Sequence, residues 1–105
     1  MFARLTTVEI DPLRISVAAA VDQFNEQVVP EMKAQAGFEG VYVLTTPEGK
    51  AMIISLWSTK ESVETTGASG YYEAQLAKFA TVFRSPPGRE VYEVALAESP
   101  QRAAL

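Results

Sequence analysis

The sequence predicts an α+β domain: a four-stranded antiparallel sheet with helices packed on one face. Three observations carry that prediction. Strand-like and helix-like stretches follow one another in the order strand, helix, strand, strand, helix, strand. The turn Thr46-Pro47-Glu48-Gly49 joins the second and third strands as a tight hairpin, so these two pair antiparallel. Right-handed crossovers then bring both helices to the same side of a single sheet.

The first strand, Phe2 to Ile10, puts Phe2, Arg4, Thr6, Val8 and Ile10 on one face and Ala3, Leu5, Thr7 and Glu9 on the other. Asp11-Pro12 predicts a helix start, with Asp at the N-cap and Pro at the first helical position. Leu13, Val17, Val21, Phe24, Val28 and Met32 then form one buried helical stripe. Pro30 breaks that helix near Val29 and opens a last segment to about Ala36, and Gly37 supplies a left-handed stop. The second strand is expected over Phe38–Thr46 and the third over Lys50–Trp57. Ser58-Thr59-Lys60-Glu61 fits a capping box for a short helix, which Thr65 to Gly70 interrupts. Helical spacing returns from Tyr71 to Phe83, and Arg84-Ser85-Pro86-Pro87-Gly88 ends it. Val91, Tyr92, Val94 and Leu96 make the last strand. The whole is expected to be one domain over residues 1–97, with 98–105 a frayed tail.

Composition excludes several classes of chemistry. The chain has neither cysteine nor histidine, so disulfides, thiolate nucleophiles, Cys/His zinc sites, histidine-ligated haem and imidazole-based triads are all ruled out. No cluster of Asp and Glu has spacing suited to a hard metal ion. The expectation is therefore of no metal and no cofactor. A net charge of −4 without a basic run makes nucleic acid an unsuitable partner. The longest apolar run, Met52 to Trp57, is too short to span a bilayer, and the N-terminus lacks a signal-peptide core, so a cytoplasmic protein is expected.

One sheet face would be left bare by this arrangement, which is the ferredoxin-like one, βαββαβ. Each strand carries apolar residues on both sides; on the third strand, Met52, Ile54 and Leu56 make a wholly apolar set. Such a patch predicts a homodimer formed through the sheet face. The other set, Ala51, Ile53, Ser55 and Trp57, mixes small residues with one large aromatic, a pattern that makes a cavity under helices.

The Gln35-Ala36-Gly37-Phe38 junction, the Leu56-Trp57-Ser58 strand end followed by Glu61, and the closing Val91-Tyr92-Glu93-Val94 strand resemble the antibiotic-biosynthesis monooxygenase type of dimeric α+β-barrel protein over about residues 2 to 97. The resemblance implies an α+β barrel made by two sheets. The family includes oxygenases, haem degraders, isomerases and proteins of no known activity. Its haem-degrading branch uses an axial histidine, which this chain lacks.

Candidate site residues follow. Trp57 is either core filler or, as the resemblance implies, a cavity wall that orients a ligand; Ser55 shares its face. The Tyr72 hydroxyl needs a partner if buried, either a substrate oxygen or a backbone carbonyl. Arg84 is either a helix-end cation complementing the dipole or a charge stabiliser. Arg4, beside Thr6 in a covered layer, demands a carboxylate from Glu93 or Glu90, or else an anionic ligand. Asn25 at the edge of the first helical stripe is expected to face solvent. The functional expectation is a small hydrophobic or aromatic ligand between sheet and helices. The resemblance implies cofactor-independent oxygenation of a phenolic or quinone-like substrate; the alternative is a non-catalytic binding or structural dimer.

Overall fold

β1 (Phe2–Glu9) lies inside the sheet, flanked by β3 (Lys50–Trp57) and β4 (Gly88–Glu93), with β2 (Phe38–Thr45) beyond β3. Every pairing is antiparallel, giving the order β2-β3-β1-β4. The computed structural model describes residues 1–100. The chain is thus the ferredoxin-like fold the sequence predicts, with β3 interior. Residues 94–100 form no regular element, and the remainder of the expected tail, 101–105, lies outside the described residues.

Four helical segments cover one face: α1 (Val17–Gln27), α2 (Val29–Lys33), α3 (Lys60–Ala68) and α4 (Tyr71–Ala77). α1 starts later than expected. Asp11 accepts from the Leu13 amide at 3.0 Å and closes a turn; the N-cap is Ser16, accepting from the Ala19 amide at 3.1 Å. Leu13 is accordingly 95% exposed and not part of the stripe, which is Ala20, Phe24, Val28 and Met32. Pro30 does break the helix, standing in the first turn of α2, which ends at Lys33 rather than Ala36.

The second pair of helices also differs from expectation. Thr59, not Ser58, caps α3 by accepting from the Ser62 amide at 3.1 Å, because the Ser58 amide is bound to the Gly37 carbonyl at 2.8 Å. α3 runs on through Thr65 to Ala68, and the break falls at Gly70, whose φ is +88. α4 ends at Ala77. From there to Phe83 the chain winds in single turns, with the Phe79 amide bonded to the Leu76 carbonyl at 3.0 Å and Val82 to Phe79 at 2.9 Å. These turns keep Phe79 and Phe83 on one side, which is why they resemble a helix in sequence. β4 begins at Gly88 and ends at Glu93, earlier than the Val91–Leu96 stretch predicts.

Register sorts the strand residues. Phe2, Arg4, Thr6 and Val8 stand opposite Trp57, Ser55, Ile53 and Ala51 on the helix-covered face. Leu5, Ile54 and Tyr42 align across the open face, beside Met52 and Leu44. That open face is apolar around Leu5, Ile54 and Tyr42, with Thr7 and Glu90 also on it, and Tyr42, Leu44 and Tyr92 are about half exposed or more. No helix among the described residues is long and apolar enough to cross a membrane.

Candidate functional site

A cavity of about 70 Å³ lies between the helix-covered face and α1, α2 and α4. Its two ends differ. Toward Ile10 it is walled by Phe24, Phe79 and Phe83, with the Phe24–Phe79 and Phe79–Phe83 centroids each 6.3 Å apart. Toward Arg4 the lining is Thr6, Ser55, Tyr71, Tyr72 and Gln75. Among the described residues no carboxylate, histidine or cysteine borders it. One buried water needs about 10–15 Å³ and benzene enters an apolar cavity of about 150 Å³. The unliganded cavity is therefore of single-ring scale at most, and a ring requires the rim to yield. The segmented wall, broken at Pro30 and Gly70, is suited to that.

Arg4 is the most unusual member. Projecting from an interior strand, it runs under the helices to the edge of an open groove beside Val63 and Val91, and the residue is only 3% exposed. Nη2 donates to the Val63 carbonyl at 2.6 Å and to Thr66 Oγ1 at 3.0 Å. The guanidinium carbon stands 4.6 Å from the Tyr72 ring centroid and 5.8 Å from that of Trp57. Burial lowers its pKa, Tyr72 raises it, and nearby Arg89 lowers it further; an arginine remains protonated regardless.

The expected carboxylate partner is absent. Among the described residues the ion pairs are Arg14–Asp11, Lys60–Glu64, Lys78–Glu31 and Arg89–Glu73. The register explains this. Arg4 stands opposite Val91, Glu90 falls opposite Leu5 on the open face, and Glu93 is opposite Phe2 near the strand end, where it is exposed.

The other polar groups are mostly satisfied by one another. Thr6 Oγ1 and Tyr72 Oη are 2.6 Å apart, so Tyr72 finds a threonine rather than a backbone carbonyl. Trp57 Nε1 donates to Ser55 Oγ at 2.9 Å. Gln75 Nε2 donates to Glu31 Oε2, which also accepts from Lys78 Nζ at 3.0 Å, tying α4 to α2. That lysine and Gln75 hold the Glu31 carboxyl below its usual range. Tyr71 Oη is the exception: among the described residues it is the buried side-chain polar atom with no partner. Burial pushes its pKa up to about 12, against a smaller lowering by Arg4. At neutral pH it is a hydrogen-bond donor, not a base.

Of the residues singled out from sequence, Arg4, Thr6, Ser55 and Tyr72 come together on the cavity. Trp57 does not line it. It is fully buried behind Arg4, edge-on to Phe38 at 5.6 Å, and acts as packing that supports Arg4 and Ser55. Arg84 is not brought to the site either. α4 stops at Ala77, so Arg84 is an exposed residue after the Phe83–Ile10 bridge, its amide donating to the Glu9 carbonyl at 2.7 Å. Asn25 is exposed as expected. Tyr71 and Gln75 were not in the predicted site. The signal for them was their spacing of four on one helical face.

No family model matches the chain, and no curated protein matches it at a significant level. Solved structures do. A protein of unknown function from Nitrosomonas europaea superposes with a TM-score of 0.72 at 21% identity, covering 95% of this chain and 94% of that one. A putative antibiotic biosynthesis monooxygenase from Deinococcus radiodurans gives 0.74 at 14% identity, over 96% and 99%. Its counterpart from Caulobacter crescentus gives 0.71 at 16%, over 90% of each chain. At these identities the likeness speaks to architecture, and the chain has the fold of the antibiotic-biosynthesis-monooxygenase-like structures.

Proposed function

We infer that the chain is a small-molecule-binding protein whose cavity takes a compact aromatic or similarly apolar molecule, its polar group toward Arg4. The observation that carries this is an almost wholly apolar cavity with aromatic side chains at one end and the side chains of Arg4, Thr6 and Tyr71 at the other. A volume of about 70 Å³ favours one ring over the fused systems an anthrone would present. The open sheet face, apolar around Leu5, Ile54 and Tyr42, supports pairing of two copies through it, which would make the α+β barrel.

The catalytic form of this reading is cofactor-independent oxygenation of a phenolic or quinone-like substrate. The substrate supplies the electrons, one oxygen atom of dioxygen enters it, and the other leaves as water. The chain's part would be to orient the ring and stabilise developing negative charge at Arg4. That no carboxylate or imidazole of the described residues lines the cavity favours the second reading, binding without turnover, because none of those side chains is suited to take a proton. Oxygen uptake with a hydroquinone panel separates the two. Uptake above buffer, lost in Arg4→Met, supports oxygenation. Saturable change of Trp57 fluorescence with the ligand recovered unchanged supports binding alone. Neither response with any member sinks both.

A further inference from the structure

The geometry points to an anion-binding pair in the cavity, Arg4 and the Tyr71 hydroxyl, that takes the ionised oxygen of a small aromatic carboxylate or phenolate. This rests on the small-molecule reading above and specifies the ligand's charge.

Two independent features converge. Arg4 is 3% exposed and has no carboxylate partner among the described residues; Glu73 acts on it only at longer range and is paired with Arg89. Both of its protein hydrogen bonds come from Nη2; the donors on Nε and Nη1 have no protein acceptor among those residues and keep only slight contact with solvent. Tyr71, on a different element, presents the buried hydroxyl that no group of the described residues satisfies. Both line the same cavity, whose remaining polar hydroxyls are already engaged, Thr6 with Tyr72 and Ser55 with Trp57. A buried cation without a counter-charge is costly, and so is a buried donor without an acceptor. One anionic oxygen answers both demands, whereas a neutral amide or ether answers only the second.

The test compares probes matched in shape and different in charge: benzoate against benzamide, and 4-nitrophenolate, at a pH where it is ionised, against 4-nitroanisole. Dissociation constants are measured by calorimetry and Trp57 fluorescence on the wild-type chain, Tyr71→Phe and Arg4→Met. A preference for the anion of about tenfold or more is expected, since a hydrogen bond to a charged group is worth one decade or two. Tyr71→Phe should cut that preference by about tenfold, and Arg4→Met should abolish it while neutral probes still bind. The pair that shows the preference identifies carboxylate or phenolate as the source. Should Arg4→Met fail to fold, Tyr71→Phe decides alone, because it removes a group that bonds to nothing. Equal affinity for anion and neutral partner overturns the anion site and leaves the cavity reading standing. Arg4 is then hydrated from the open groove that it borders beside Val63 and Val91. No binding of any probe overturns both.

Discussion

Arg4→Met distinguishes a cation kept for stability from one kept for a ligand. The guanidinium makes two hydrogen bonds, 2.6 Å to the Val63 carbonyl and 3.0 Å to Thr66 Oγ1, and stands 4.6 Å from the Tyr72 ring centroid. Hydrogen bonds from a charged donor contribute about 1.5–3 kcal/mol each, and a desolvated cation–π contact about 1–2. Their loss comes to roughly 5 kcal/mol. Against it stands the recovered desolvation penalty of a cation without a counter-charge, several kcal/mol. Neither acceptor is orphaned, because Thr66 Oγ1 is also 2.9 Å from the Ser62 carbonyl and 3.1 Å from that of Val63. Methionine retraces most of the arginine stem and keeps a polarisable group against Tyr72. The terms cancel, so ligand-free Arg4→Met should unfold in urea within about 1.5 kcal/mol of wild type. Far-UV circular dichroism and Trp57 fluorescence should trace the same transition. A loss of about 3 kcal/mol or more, the usual cost of removing a structural charge, would refute the reasoning and make Arg4 a strut.

Four further outcomes follow from the packing. Gly49 has a φ of +100, and a Cβ there would lie 2.4 Å from the Ile10 carbonyl oxygen, a backbone atom that cannot swing away; Gly49→Ala should cost about 2–4 kcal/mol, lowering the melting midpoint by roughly 10–20 °C, and a loss under about 1 kcal/mol would contradict the close approach. Tyr71→Phe removes a hydroxyl with no partner and should stabilise the ligand-free chain by about 1 kcal/mol. Because burial raises the Tyr71 pKa from 10.0 to about 12, the folded state keeps a proton that the unfolded chain has lost. Wild-type stability from this group is complete below that lower value and drains away as pH rises toward the upper; urea midpoints should fall less for the variant across the same window, and equal falls would exclude a buried hydroxyl. Ile54→Glu, between Leu5 and Tyr42 on the open face, should sediment near 11.4 kDa where wild type sediments at twice that mass; a wild-type monomer at micromolar concentration would end the sheet-face dimer.

Element order and register were legible because strand alternation and helical period are direct consequences of burying one face. Pro30 and Gly37 were legible for the same kind of reason, each having one conformational use there. Helix ends were not. Asp11 and Ser16, or Ser58 and Thr59, offer equivalent capping oxygens, and the choice is made by tertiary bonds such as Ser58 N–H to Gly37 O. Phe79 and Phe83 mimicked a helix because successive three-residue turns bury nearly the same positions. On the site, Arg4, Thr6 and Ser55 could be read from alternation on β1 and β3, but Tyr71 and Gln75 could not. Their inward direction depends on α4 starting at Gly70, and a break anywhere between Thr65 and Gly70 suited the sequence equally.

Two arginines flank the ring of Tyr72, and the contrast between them says what kind of chemistry the cavity supports. Arg89, on β4 opposite Thr6, stands 4.8 Å from the ring centroid, is half exposed, and is paired with Glu73 at 3.0 Å. Arg4 meets the same ring at 4.6 Å, buried and without such a partner among the described residues. Exposure explains why the first needs nothing more, since water screens it and the pair adds little. The second has no such relief from the protein. The Tyr72 hydroxyl is already engaged with Thr6, and burial keeps Tyr71 protonated. On the proposed reading the cavity holds negative charge, and no carboxylate or imidazole of the described residues lines it to take a proton. Oxygenation on the proposed reading begins with a single-ring substrate that arrives ionised, so for any one phenol the rate should rise with pH through that phenol's own pKa.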